Sequence, residues 1–510
     1  MRVLVMLLIA GCALDSANES TSNDPIAHRG GDPLSWGSCP ADSKYAWEPT
    51  AQCATIEVPL DRAHPERGTI PQFIARLPAA SGPATKQFWI LDGGPGSSGE
   101  EFFEFLIDWY AQAMPDVDFY LPAHRGTGYS AGLACAGEGQ DTPDSNDLTP
   151  AEWVACRDQI VAEWGDGIEQ FTMSNATDDL AELVERARVP GQEVVLYGLS
   201  YGTAEMWRYL ARHPHTVDAV IQDAIVSPGV IFQSREDQYA DPVLREYARM
   251  CASDPFCHEK LGDDPFGRIV DISKAVANGH CAASGFDKDR LRLVLGDLLV
   301  AWNVRVYALS IPYRLERCSD ADVAALQKFL AFYFAPYDQD GYSNALDVNI
   351  SFSEFWESPS PSPATLIARA EHQIAAIDYG FERAAISATW PRHPADHRDP
   401  EWPRIEIPML MLNGTLDVET PLPTAEVAAV HYHGPHQTFV ELPNAPHAGG
   451  YQSPTTRSDG LPCGIDIMAS FVADPRGTLD TSCIAEMAPV YFDDNRFSKY
   501  FFGTATTWEN

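Results

Sequence analysis

The chain has 510 residues, with 35 Lys and Arg against 72 Asp and Glu, a formal net charge of −37. So acidic a surface repels phosphate backbones and anionic headgroups, which excludes a nucleic-acid partner and docking on lipid through a basic patch. A hydrophobic share of 45% beside 21% charged residues is that of a globular protein and excludes a largely disordered or fibrous chain.

Met1-Arg2 is followed by an apolar run from Val3 to Ala10 and then Gly11-Cys12. Ile9-Ala-Gly-Cys12 resembles a bacterial lipobox, in which the peptide before a diacylated cysteine is removed. Residues 1–11 are therefore expected to be a lipoprotein signal peptide and Cys12 the lipidation site, placing the protein in the cell envelope. The alternative is an ordinary export signal with a chance cysteine. No later stretch reaches the roughly 18 apolar residues that span a bilayer, so membrane contact is expected only through that anchor. Residues 12–33, rich in Ser, Asn, Asp and Gly and without periodicity, read as a flexible tether. Setting Cys12 aside leaves ten of the eleven cysteines, enough for five disulfides in an oxidising compartment. Joining neighbours gives Cys39–Cys53, Cys135–Cys156, Cys251–Cys257, Cys281–Cys318 and Cys463–Cys483, one connectivity among many. No Cys-x-x-Cys pair occurs, and His431-Tyr-His433-Gly-Pro-His436 reads as a surface loop.

Ala54–Leu60 and Thr69–Ala75 look like an early pair of strands. A strand–helix alternation follows. Gln87–Leu91, Val117–Leu121, Val194–Tyr197 and Val217–Val226 are short apolar strands, and 178–188 and 203–213 have helical period. Such strands, apolar on both faces and separated by helices, predict a mostly parallel sheet covered on both sides. The pattern breaks between 230 and 400, where 289–303 and 321–335 are strongly apolar helices. It resumes with a strand at Ile407–Leu412, a helix over 424–431 and a strand at Thr438–Leu442. The fold class is α/β. The expected division is a first part of the core over 34–229, an inserted helical lid over 230–401, and a second part with the C-terminal region over 402–510.

Gly198-Leu-Ser200-Tyr-Gly202 sits between the strand at Val194–Tyr197 and the helix that follows. This is the setting of a nucleophile elbow, where a tight turn exposes the serine. A serine hydroxyl needs a base to take its proton, and the base needs an acid to orient it. Asp417 follows the strand Ile407–Leu412, and His447 follows the strand Thr438–Leu442. The order Ser200, Asp417, His447 is that of an α/β-hydrolase triad. The oxyanion needs backbone N–H donors: Tyr201, next to the nucleophile, supplies one. The second is expected from Gly93-Gly-Pro-Gly96, with Gly94 the first choice and Gly93 the next. No metal or organic cofactor is needed for this chemistry.

Gly93-Gly-Pro-Gly96, Arg125-Gly-Thr-Gly-Tyr-Ser130, Gly198-Leu-Ser-Tyr-Gly-Thr203, Leu416-Asp-Val-Glu-Thr-Pro421 and His447 together resemble the prolyl- and tripeptidyl-aminopeptidase family of α/β-hydrolases. Cys53-Ala-Thr-Ile-Glu-Val-Pro-Leu-Asp61 looks like the start of its exported tripeptidyl-aminopeptidase branch. The resemblance implies an α/β-hydrolase fold and serine-catalysed removal of residues or short peptides from a peptide's free amino terminus. It is departed from at Ala123-His-Arg-Gly126, where the family often has Asp-x-Arg-Gly, so the motif lacks an acidic partner for Arg125. Prolyl members usually carry His before the Gly-Gly-Pro-Gly run, where this chain has Asp92. Amine recognition calls for carboxylates in the lid, and Glu354, Glu357 and Glu371 are candidates by location. An esterase or amidase with the same triad is the alternative enzyme, and a non-catalytic surface protein keeping the fold is the alternative class. The sequence leaves oligomeric state and peptide length open.

Overall fold

A computed structural model describes residues 33–41, 47–103, 109–138, 148–335, 342–377, 380, 383–393 and 402–509. The expected signal peptide, Cys12 and the tether up to residue 32 lie outside the described residues.

Eight strands form one sheet in the order β1-β2-β4-β3-β5-β6-β7-β8. β1 (Gln52–Pro59) and β2 (Thr69–Leu77) make an antiparallel hairpin, and β2 is antiparallel to β4 (Val117–Pro122). All the remaining pairings are parallel, through β3 (Lys86–Leu91), β5 (Glu193–Leu199), β6 (Ala219–Asp223), β7 (Met409–Gly414) and β8 (Gln437–Leu442). Successive residues of a strand face opposite ways. Phe88 and Ile90, Val195 and Tyr197, and Leu410 and Leu412 therefore point into one apolar cluster. Trp89 and Leu91, Val194 and Leu196, and Met409 and Met411 point into the other. This is why the strands read as continuous apolar runs rather than as alternation.

Helices cover both faces. After α1 (Pro150–Trp164), α2 (Met173–Ala187) and α3 (Tyr201–Arg212) pack Leu180, Leu183, Met206, Trp207 and Leu210 on one side. Thr172 caps α2, its hydroxyl accepting from the Asn175 N–H at 3.0 Å. Between β6 and β7 the chain leaves the sheet. α4 (Ala240–Ser253), α5 (Pro255–Leu261), α6 (Pro265–Ala277), α7 (Lys288–Val300), α8 (Tyr307–Arg317) and α9 (Asp320–Tyr333) bury their apolar faces on one another. α10 (Asn344–Glu354) and α11 (Pro363–Glu371) join a second cluster that reaches α1 and Tyr201. Beyond the block, α12 (Leu422–His431) and α13 (Cys463–Ala473) flank the last strands.

The C-terminal stretch departs from the expected division. Phe492, Phe501, Phe502 and Trp508 pack into the core of the helical block, not against the sheet. The buried Arg314 of α8 donates to the backbone oxygens of Thr506, Thr507 and Glu509, pinning that stretch in place. Leu416 and Val418, which flank Asp417, belong to the same core. The five disulfides are those of neighbour pairing, with Cα–Cα separations from 4.8 to 5.6 Å. Such bonds persist outside the reducing cytoplasm, which makes the chain extracytoplasmic. Among the described residues, no helix is long and apolar enough to cross a membrane.

Candidate active site

The β5–α3 junction is tight. Ser200 has φ 53° and ψ −121°, a left-handed conformation that costs a non-glycine residue strain. Its neighbours leave no room for side chains: a Cβ on Gly198 would lie 2.5 Å from the Gly202 carbonyl oxygen, and one on Gly202 would lie 2.2 Å from that of Leu91. The turn is braced from the next strand, where the Ser200 N–H donates to the Asp223 carbonyl at 2.9 Å.

Asp417 sits in the loop after β7. Its Oδ1 accepts from the backbone N–H groups of Glu419 (2.9 Å) and Thr420 (2.8 Å), and its Oδ2 from the Thr420 hydroxyl (2.7 Å). Asn413 ties this loop to the end of β6, accepting from the Ile225 N–H at 2.9 Å and donating to the Thr420 carbonyl at 3.0 Å. His447 follows β8, and its Nδ1 lies 3.1 and 3.0 Å from the two Asp417 oxygens. Gln452 donates to the His447 carbonyl at 2.8 Å and to the Val300 carbonyl at the end of α7 at 3.0 Å. Asp223 joins the two sides of the site. Its Oδ2 accepts from the Gly450 N–H in the histidine loop at 2.9 Å and from the Tyr197 hydroxyl at 3.0 Å. Ser200, Asp417 and His447 thus stand at the C-terminal ends of β5, β7 and β8.

The second ring nitrogen of His447 meets Glu419, whose Oε2 is 3.1 Å from Nε2. Among the described residues, no hydrogen bond joins Nε2 to the Ser200 hydroxyl. Burial alone would lower the His447 pKa, but the Asp417 and Glu419 carboxylates outweigh it and push it up to about 10. Burial raises the Glu419 carboxyl as well, against the pull of His447.

Gly93 and Gly94 do different jobs. The Gly93 N–H donates to its neighbour's carboxylate, Asp92 Oδ1, at 2.6 Å and is not available to an oxyanion. Gly93 instead gives Ser200 room, since a Cβ there would come 3.2 Å from Ser200 Cβ. Gly94, with φ 107°, lines the pocket beside Ser200 and Tyr201. Among the described residues, the N–H groups of Gly94 and Tyr201 meet no acceptor, and Tyr201 opens α3, where the first N–H has no partner within the helix. These are the two N–H groups that a ligand beside Ser200 could meet.

The pocket holding Ser200 is lined by Gly94, Pro95, Gln233, Glu236, Phe355 and Glu419, among others. Glu236 and Glu419 are 6% and 7% exposed, and each has one carboxylate oxygen (Glu236 Oε2, Glu419 Oε1) without a hydrogen-bond partner among the described residues. The acids expected from location are elsewhere. Glu357 is tied to Arg235 and Arg369 and accepts from the Ser234 hydroxyl at 3.0 Å. Burial would raise its pKa, but the two guanidinium groups and Ser234 hold it down at about 2. Glu354 accepts from the Met173 N–H at the start of α2 at 2.9 Å. Glu371 is exposed at the end of α11. None of the three lines the Ser200 pocket. Glu419 stands two residues after Asp417, inside a motif the sequence makes conspicuous. Glu236 carries no sequence signal that separates it from the other acids.

The acidic partner missing from the Arg125 motif is supplied by α2. Asp179 Oδ2 accepts from Arg125 Nε at 2.7 Å, and both side chains are buried. Ala123 occupies the motif's usual acid position, and the next residue, His124, places Nε2 3.2 Å from the Tyr201 hydroxyl.

Residues 88–251 match the family model described as the alpha/beta hydrolase fold. The chain is 24% identical over 335 residues to the serine protease Hip1 of Mycobacterium tuberculosis, and equally to that of Mycobacterium bovis. Each match spans 60% of this chain and 62% of the relative. Among solved structures, Rv0554 from Mycobacterium tuberculosis is 13% identical, with a TM-score of 0.34 over 78% of this chain and 92% of that one. The esterase EaEST from Exiguobacterium antarcticum is 13% identical, with a TM-score of 0.31 over 74% and 89%. The family match and the eight-stranded order make the fold that of an α/β-hydrolase, and the similarity to a serine protease supports a serine hydrolase.

Proposed function

We propose that this α/β-hydrolase is an exported serine exopeptidase that releases residues or short peptides from the free amino terminus of peptides. The observation that carries the reading is a pair of buried acids, Glu236 and Glu419, that line one pocket with Ser200 and each keep one oxygen without a hydrogen-bond partner among the described residues. A buried carboxylate without a hydrogen bond is costly to keep, and a substrate ammonium group supplies both the missing donors and the opposite charge. A neutral ester or a blocked peptide supplies neither.

In this mechanism Ser200 Oγ bonds to the carbonyl carbon of the scissile peptide while its proton passes to His447 Nε2. Asp417 holds the other face of the ring and stabilises the imidazolium. The N–H groups of Gly94 and Tyr201 receive the oxyanion. His447 then gives its proton to the leaving amine, the C–N bond breaks, and water releases the acyl group by the same path in reverse. An exported peptidase with a lipobox-like Ile9-Ala-Gly-Cys12 would be held at a membrane by acylation of Cys12.

A fluorogenic panel of matched peptides with free and acetylated amino termini, run beside short-chain esters, tests the assignment. Turnover of the free-amine peptides with little or none of the acetylated ones is the expected result. Ester hydrolysis without cleavage of any free-amine peptide rejects the exopeptidase in favour of an esterase. A folded protein whose Ser200 does not react with a fluorophosphonate probe rejects catalysis altogether.

A further inference from the structure

Two carboxylates bracket one imidazole. Asp417 faces His447 Nδ1, as a relay requires, but Glu419 Oε2 stands 3.1 Å from Nε2, the atom that must accept the Ser200 proton. A base whose lone pair is engaged by another carboxylate cannot deprotonate a serine. The ion pair is buried, so water does not loosen it: the His447 and Glu419 side chains are 6% and 9% exposed. The second oxygen of Glu419, Oε1, has no partner among the described residues, and Glu419 lines the same pocket as Ser200 and Glu236. Glu419 therefore touches the catalytic base with one oxygen and the substrate pocket with its side chain.

We propose that Glu419 is a brake on His447, released by the substrate's own ammonium group. This rests on the free-amine reading above and adds that the amine switches the base on as well as anchoring the peptide. In the resting enzyme the Glu419 carboxylate and Nε2 share a proton. An arriving R–NH₃⁺ offers Glu419 a new ion pair, and Glu236 supplies a second carboxylate from across the pocket. Glu419 turns to the ammonium, the imidazolium loses its stabilising neighbour, and its proton passes to solvent. The Nε2 lone pair is then free to take the Ser200 proton as Oγ attacks. No bond other than the N–H of the imidazolium is broken in the switch, and no co-reactant is needed.

The groups facing His447 are Asp417 and Glu419 from the loop after β7 and Asp223 from the end of β6. Glu236 lies in the helical block, where burial, and then the neighbouring Glu419, push its carboxyl well above the usual range; Arg383 opposes this, while Asp347 and Asp237 add to it. With two carboxylates on the ring, His447 stays protonated at neutral pH. An ammonium on Glu419 cancels one of them.

The test uses the full chain and a small neutral fluorophosphonate, which reports the reactivity of Ser200 without carrying an amine. Labelling rates are measured with and without glycinamide or propylammonium, with tetramethylammonium as a cation that lacks N–H donors. The expected result is at least a fivefold faster labelling of the wild-type protein with the primary ammonium and no change with tetramethylammonium. Glu419→Gln is expected to label at least fivefold faster than wild type without any amine, to gain nothing from ammonium, and to shift its labelling pH profile downward by a unit or more. A wild-type rate that is unchanged or reduced by ammonium overturns the brake, and so does a folded Glu419→Gln protein that labels no faster than wild type. Because the ammonium titration needs no variant, it decides the matter even if Glu419→Gln fails to fold. Wild-type cleavage of free-amine peptides together with ammonium-insensitive labelling removes the brake and leaves the exopeptidase standing. Absence of that cleavage removes the exopeptidase itself.

Discussion

At the scale of single residues, the relay and the amine pocket make separable predictions. Ser200→Ala is expected to abolish both peptide turnover and fluorophosphonate labelling. Asp417→Asn keeps the shape of the loop but loses the charge on Nδ1, and kcat is expected to fall about 10³–10⁴-fold. Glu236 lies off the relay, so Glu236→Gln is expected to cost roughly 10–100-fold in kcat/KM on free-amine peptides, the value of one charge-assisted hydrogen bond, and to act mainly through KM. Steady-state kinetics on matched free and acetylated peptides separate these outcomes. The expected triad could be read from the sequence because Ser200, Asp417 and His447 each follow an apolar strand and stand in a recognisable order, and the structure brings Asp417 and His447 into contact. The acids that line the Ser200 pocket, Glu236 and Glu419, could not be. Glu354, Glu357 and Glu371 have the right composition and the right region, yet Glu357 is neutralised by two arginines and Glu354 caps a helix. Which acid is left without a partner depends on tertiary pairing, and local sequence carries no trace of that. Arg125 teaches the same lesson: its carboxylate comes from Asp179, 54 positions away.

At the scale of elements, the nucleophile elbow depends on how closely α3 approaches β3. A Cβ at position 202 would lie 2.2 Å from the Leu91 carbonyl oxygen, a backbone atom that cannot swing aside. Gly202→Ala is therefore expected to destabilise the fold by about 1–3 kcal/mol and to displace Ser200, so that activity falls further than stability does. Urea denaturation beside active-site titration reads both. Every strand assigned from apolar runs is present within a few residues, because strands buried on both faces announce themselves. The strand at Val217–Val226 is the largest overreach. Pairing in β6 stops at Asp223, where Ala224 turns to φ 57° and the chain heads for the helical block. Apolar residues continue past the turn because they enter other cores, Ile225 that of the sheet and Val226 that of the block, so hydrophobicity alone does not mark the end of the strand.

At the scale of the whole molecule, buried acids set how stability varies with pH. Burial raises Asp223 to about 7 and Asp92 to about 6, against an ordinary value near 3.8. Their folded forms hold a proton that the unfolded chain gives up, so the stability they provide is present below about pH 4 and lost as pH rises through 6 to 7. Glu357, held down at about 2, works in the opposite sense, and its contribution is lost as pH falls through that value. Thermal stability is therefore expected to peak on the acid side of neutrality, near pH 4–5, and to decline toward pH 8. Asp223→Asn, which keeps an acceptor for Tyr197 and Gly450, is expected to flatten the decline by a few kcal/mol. Melting curves across that range check both statements. The inserted helices raise a further consequence. Leu416 and Val418 lie in their core, Gln452 joins the His447 carbonyl to the end of α7, and the last residues of the chain fasten the far side. Chimeras made to redirect specificity by grafting 230–401 from a relative would carry away the packing that aims the relay. A functional graft has to travel with the Asp417 loop and the C-terminal tail as one cassette.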